Sequence, residues 1–236
     1  MKSNASSRRL AEVRPLGPED SIDGPLFAIN WIDTRWPLLY SIYMGLAGRL
    51  VRKIGGVPVF KGHPQETLAG PDSGARDLLL IVRYPSASSF LQLVHRRTFQ
   101  VVSILRIAAV QSFSFVFHRR LDADPMSAIE RAVPEDSGVY GALLYSSSDS
   151  PSSERTKLEG AAHRHGVRLH YLGVPTATLS LSRAESSARE IPYVTDRVAL
   201  VSADSIERLQ AFAAAEVHGS PHAFNNAWMG RMERSL

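Results

Sequence analysis

Cysteine is absent from the 236-residue chain. That excludes a disulfide framework, a thiolate nucleophile and any Cys-ligated zinc or iron–sulfur centre. No Rossmann glycine fingerprint, phosphate loop or Gly-x-Ser-x-Gly elbow occurs. The histidines offer no metal spacing: His163 and His165 are two apart, and Gly219, Ser220 and Pro221 break any helix joining His218 to His222. No metal site and no cofactor are expected. The longest apolar stretch, Trp36–Leu46, is too short and interrupted to span a bilayer. Met1-Lys2-Ser3-Asn4 leads to Arg8-Arg9 without the apolar core of a signal peptide, so a cytoplasmic location is the expectation.

Charge is unevenly distributed between the two halves. Residues 1–118 carry 14 Lys/Arg against 8 Asp/Glu, and residues 119–236 carry 13 against 15. The positive residues of the first half are scattered or paired, as in Arg52-Lys53 and Arg96-Arg97, with no basic stripe interleaved with aromatics. Nucleic acid is not expected as a partner; a solvated basic surface is. An anionic membrane surface is the alternative partner for this half, through a surface-lying helix.

What is present is a repeat. Gly62-His63-Pro64-Gln65-Glu66-Thr67-Leu68 and Gly173-Val174-Pro175-Thr176-Ala177-Thr178-Leu179 share the pattern G-x-P-x-x-T-L at an offset of 111 residues. Gly55 matches Gly166 and Phe60 matches Tyr171 at the same offset. Several matches in one register imply two copies of one structural unit.

The elements agree. Leu26–Trp31 reads as a buried strand, followed by a loop at Asp33-Thr34-Arg35. Pro37 opens a helix to about Ile54, with apolar residues at helical spacing, Arg52-Lys53 in its last turn and Gly55-Gly56 as its stop. Val57–Phe60 is the second strand, with Pro58 at its start or near an edge and a bend at Gly62-His63-Pro64. Asp77–Tyr84 is a near-continuous apolar run, a central strand. Two helical segments run from Ser86 to Arg106, and Gln111–Phe117 alternates as a fourth strand.

The second half repeats this order. Val139–Tyr145 is a strand, and Ser150-Pro151 caps a helix that ends at Gly166. Val167–Leu172 and Thr176–Leu181 flank the repeated motif, and Arg197–Ser202 is a central strand. Asp204-Ser205-Ile206-Glu207 reads as a capping box for a helix stopped by Gly219. Ala223–Met232 closes the unit. Strand, helix, strand, strand, helix, strand is the ferredoxin-like unit. The expected organisation is an arm (1–23), unit 1 (24–118), a linker (119–137) with a short helix at Met126–Ala132, and unit 2 (138–236).

The first half resembles small, mostly uncharacterised proteins of the dimeric α/β-barrel superfamily. Asn30 in the first strand, Tyr40 and Tyr43 in the first helix, Gly55-Gly56, the block Arg83-Tyr84-Pro85-Ser86, Phe99-Gln100 and Arg106 carry the likeness over residues 26–117. Leu105 and Gln111 stand where many such proteins have His and Glu. Those proteins pair two chains sheet to sheet. The resemblance therefore implies an α+β fold: two tandem ferredoxin-like (βαββαβ) units forming an intrachain pseudo-dimeric α/β barrel.

It also implies a cleft between the two sheets that takes a hydrophobic small molecule. The superfamily includes cofactor-free monooxygenases and polyketide cyclases, along with haem-binding branches. The expected function is a cofactor-independent enzyme or enzyme accessory of cyclase, isomerase or monooxygenase type, acting on a hydrophobic small molecule in secondary-metabolite biosynthesis. A non-catalytic binding or assembly protein is the alternative, favoured by Leu105 and Gln111. The catalytic candidates are His63, a base partnered by Glu66, and Arg83, a carboxylate or phenolate binder if it faces inward. The ligand-binding candidates are Asn30, Tyr43, Glu66, Arg106, Tyr145 and His170. His63, Arg83, Asn30 and Tyr43 also have ordinary readings, as a turn His, a strand-end Arg, a satisfied Asn and a core Tyr.

Overall fold

In the computed structural model, residues 12–16, 22–71, 75–121, 138–147, 149–180, 197–218 and 225–235 are described. The linker helix expected at Met126–Ala132 and the glycine stop at Gly219 lie outside them. The first unit comprises β2 (Leu26–Thr34), α1 (Pro37–Lys53), β3 (Val57–Ala69), β4 (Leu78–Tyr84), α2 (Ala87–His95), α3 (Arg97–Ala109) and β5 (Val110–Arg120). The second comprises β6 (Val139–Ser146), α4 (Pro151–Arg164), β7 (Val167–Ser180), β8 (Arg197–Ala203), α5 (Ile206–Ala213) with a π turn at Ala214–His218, and β9 (Asn225–Arg234). Ahead of both, β1 (Glu12–Pro15) adds to β7 and buries Val13, so part of the expected arm is docked as a strand.

The strands pair in the order β5-β2-β4-β3 in one unit and β9-β6-β8-β7 in the other. Both orders are ferredoxin-like. Pairing of β3 with β9 and of β5 with β7 joins the two sheets into a closed, antiparallel eight-stranded barrel. Closure removes the free sheet edges that would otherwise recruit another chain. Among the described residues no helix is long and apolar enough to cross a membrane.

The repeated motif is the hinge of this closure. Gly62 is opposite Leu79 in its own unit and opposite Arg234 in the other. Gly173 is likewise opposite Val198 in its own unit and Arg120 in the other. Each long strand therefore changes partner sheets at its glycine. The motif's far end packs into the other unit's helix-side core, Leu68 in one direction and Leu179 in the other. Glycine is required because an aromatic ring two residues earlier lies across it. A Cβ at Gly62 would fall 2.7 Å from the Phe60 ring, and one at Gly173 would fall 2.7 Å from the Tyr171 ring. Phe60 and Tyr171 were the aromatic pair matched at the same offset.

Alternation sorts each strand into two faces. Leu26, Ala28 and Ile32 face outward beneath α1–α3, whereas Phe27, Ile29 and Trp31 face the barrel interior. The interior is filled by Phe60, Tyr171, Trp31 and Trp228 with smaller residues between them. That corrects the expected cleft between the sheets: large inward side chains from both sheets occupy that space. Two local readings also shift. The expected loop at Asp33-Thr34 is strand, since β2 continues to Thr34. Ser205, not Asp204, is the cap residue of α5 and makes no side-chain cap bond. The Glu207 carboxylate instead hydrogen-bonds Ser205, which holds it below the usual carboxylate range.

A candidate small-molecule site beneath the first helix layer

The cavity lies on the outer face of the first sheet, under α1 and α3, with a volume of about 220 Å³. A single water needs about 10–15 Å³, so the space is sized for a small organic molecule. Most of its wall is apolar, including Met44, Val82, Phe90 and Phe115.

Its polar groups come from three elements. Tyr40 and Tyr43 are three residues apart on the buried face of α1, with ring centroids 5.6 Å apart. Tyr84 ends the outward set of β4 and packs edge-on against Phe90 at 5.0 Å. Gln100, Ser103 and Arg106 line the cavity from α3, at helical spacing. The Arg106 guanidinium lies over the Phe113 ring at 4.7 Å, a cation–π contact that fixes its plane. Asn30 enters from β2, and its Nδ2 donates to Ala28 O and to Leu80 O, both at 3.1 Å. Both amide hydrogens are then engaged, so Oδ1 remains as an acceptor for a ligand O–H or N–H.

Burial sets the protonation. Desolvation pushes the Tyr40 hydroxyl far above its ordinary range, reinforced by Tyr43 and opposed by the nearby Arg106 charge. Tyr84 is raised by burial and then by Tyr43. Both phenols stay neutral at pH 7 and act as donors. Among the described residues the lining contains no Asp, Glu or His. The site thus presents hydroxyl donors and one guanidinium, a set suited to a ligand anion or a developing oxyanion.

Tyr40, Tyr84 and the similarly buried Tyr145 give a pH prediction. The folded state holds these protons more tightly than the unfolded chain, whose tyrosines ionise near pH ~10. Their stabilising contribution is complete below that pH and is lost as pH rises towards the folded values. Each removes up to about 1.4 kcal/mol per pH unit above pH ~10. Thermal melts should therefore fall steeply from that point, with phenolate absorbance of these residues appearing only on unfolding. Reversible ionisation of all three in the folded protein below pH ~10 would contradict the burial argument.

Asn30, Tyr43 and Arg106 are brought together in the cavity. The other candidates lie elsewhere. The ring Nδ1 of His63 is 2.8 Å from Asp77 O, where it donates to the carbonyl, and Glu66 pairs with Arg231 at 3.5 Å rather than with His63. Arg83 shares the inward face of Leu79 and Ile81, at a barrel end between Phe27 and Val57, and does not line the cavity. Tyr145 is buried under α4 beside Glu154. His170 is buried with Nε2 2.7 Å from Ser202 Oγ, and its ring lies 5.8 Å from Tyr140. Tyr40, Tyr84 and Gln100 join the site, although in the sequence they are only marks of the superfamily resemblance. The three-residue spacing of Tyr40 and Tyr43 on an apolar helix face was the available signal. Ser103 carried none beyond its spacing from Arg106.

No protein-family model matches the chain, and no curated protein matches it significantly. Solved structures are similar at low identity. A Rhodopseudomonas palustris protein of unknown function is 23% identical over 42% of this chain and 83% of its own, with a TM-score of 0.39. An anthrone oxidase-like protein is 11% identical over 95% of each chain, with a TM-score of 0.49. A mutant chlorite dismutase from Candidatus Nitrospira defluvii is 13% identical over 89% of this chain and 90% of its own, with a TM-score of 0.45. The barrel assignment rests on the strand pairings themselves.

Proposed function

We propose that the protein binds a small, largely apolar molecule bearing a carboxylate, phenol or enol oxygen in the cavity under α1 and α3. It acts on that molecule as a cofactor-independent enzyme or as an enzyme accessory. The observation that carries this reading is Arg106 facing an apolar cavity together with the neutral phenols of Tyr40 and Tyr84. The chemistry within reach of these groups is stabilisation of an enolate or phenolate, the charge that forms in isomerisation and cyclisation. Among the described lining residues there is no carboxylate or imidazole, which favours a second reading, binding without turnover, because proton abstraction would need a base.

Titration calorimetry with 2-naphthoate and with uncharged 2-naphthalenemethanol tests the site. Arg106→Gln should weaken 2-naphthoate binding by roughly tenfold to a hundredfold, since a charge-assisted hydrogen bond contributes about 1.5–3 kcal/mol. Binding of the alcohol should change little. Equal loss for both compounds, or none for either, contradicts the assignment. Turnover of an identified substrate, lost in Tyr43→Phe or Arg106→Gln, would decide for the enzyme over the binding protein.

A further inference from the structure

The first unit's helix layer is apolar on both of its sides. The inner side of α1 buries Tyr40, Tyr43, Ala47 and Val51. Its outer side carries Leu38, Ile42 and Leu46 at four-residue spacing, with Trp36 at the N-cap. On α3, which packs along α1, Val101, Ile104 and Ile107 face outward. These side chains are between 40% and 79% exposed, and they make up seven of the nine large exposed hydrophobic residues among the described residues. Single exposed hydrophobic residues are ordinary, whereas a contiguous set marks an interaction surface. The second unit has the same topology, yet α4 and α5 contribute none of the nine. The fold therefore does not require such a face.

Charge identifies what covers it. Neither α1 nor the α2–α3 segment Ala87–Ala109 contains an Asp or Glu. Exposed Arg49, Arg52 and Lys53 end α1, and exposed Arg96 and Arg97 begin α3. At 100° per residue, Arg49 and Lys53 fall on the same stripe as Leu38, Ile42 and Leu46. A second copy seated on this face would oppose like charges with no acidic residue on these helices to offset them. Aliphatic tips beside an edge Trp and long cationic side chains match a bilayer interface. There the tips enter the acyl boundary and the cations meet lipid phosphates.

We propose that the α1/α3 face docks on an anionic lipid surface. Ile107 belongs both to the exposed set and to the cavity lining, so the cavity lies directly beneath the docking face. Delivery of an apolar ligand from the bilayer to that cavity rests on the binding reading above; docking itself does not.

The test is cosedimentation of the full chain with phosphatidylcholine vesicles, with and without phosphatidylglycerol. Binding is expected only with phosphatidylglycerol, and it should fall at about 0.5 M salt. The Ile42→Glu/Ile104→Glu variant should bind at least about tenfold more weakly. These positions are exposed, so its melting temperature should be unchanged. Should that variant misfold, Arg49→Gln/Lys53→Gln provides the second reading through a reduced salt dependence. No binding to phosphatidylglycerol vesicles at low salt overturns the proposal, as does undiminished binding by both variants. A dimer of the parent protein that Ile42→Glu/Ile104→Glu dissolves in the ultracentrifuge would assign the face to a second copy and overturn it too. Neither Ile42 nor Ile104 lines the cavity. Their 2-naphthoate affinity should be unchanged, which separates failure of docking from failure of the pocket.

Discussion

Trp228→Ala is expected to lower stability by about 3–5 kcal/mol, a large share of the net stability of an ordinary domain. Trp228 is fully buried at the centre of the barrel and meets Trp31 edge-on at 5.3 Å. Its ring also lies across Gly230, where an added Cβ would approach Cζ2 to 2.5 Å. Truncation opens a void bounded by strands of both sheets, which hydrogen bonding prevents from collapsing. Trp228→Phe should cost much less. It retains most of the packing and removes an indole N–H that has no hydrogen-bond partner among the described residues. Urea unfolding of both variants measures the difference. A loss below about 1 kcal/mol for Trp228→Ala would mean that the interior is loosely filled, contrary to the packed core described above.

The second large effect lies under α4. Glu154 is buried and accepts from Arg197 Nε at 2.7 Å, with Tyr145 beside it. Arg197→Ala leaves that carboxylate buried without its cation and should cost about 3–5 kcal/mol. Burial and the Glu154 charge both push the Tyr145 hydroxyl upward in pKa, while Arg197 opposes them, so the three groups act as a unit. Glu154→Leu/Arg197→Met should recover most of the loss, because no uncompensated charge remains. A double variant as unstable as Arg197→Ala alone would show that packing, not the stranded charge, sets the cost. Tyr145 is in this account a structural residue of the second unit.

The fold was readable because its signals are local and repeated. The glycine motif, the proline at the start of α1, the Ser150-Pro151 cap and the stop at Gly166 each follow from backbone chemistry. The faces were not readable. Leu79-Leu80-Ile81-Val82 is apolar throughout because one side meets the barrel interior and the other meets the helices. Alternation therefore could not tell which way Arg83 or Asn30 points. Register decides it: Asn30 is opposite Leu80 and faces the helices, while Arg83 is opposite Phe27 and faces the interior side. The same ambiguity put the expected ligand between the sheets. The combined volume of Trp31, Phe60, Tyr171 and Trp228 excludes that only once their inward direction is known. Sequence distance alone sets Glu66 beside His63. The irregular register between Pro64 and Glu66, and the Arg231 partner across the unit boundary, are properties of the closed barrel.

Methyl-labelled methionine resonances followed during titration with 2-naphthoate test the central claim most directly. Met44 lines the cavity under α1, whereas Met232 lies in the barrel interior and Met229 in the second unit's core. The account predicts saturable shifts of the Met44 methyl, with Met229 and Met232 unmoved. Shifts at Met232 with Met44 silent would place the ligand between the sheets and contradict it.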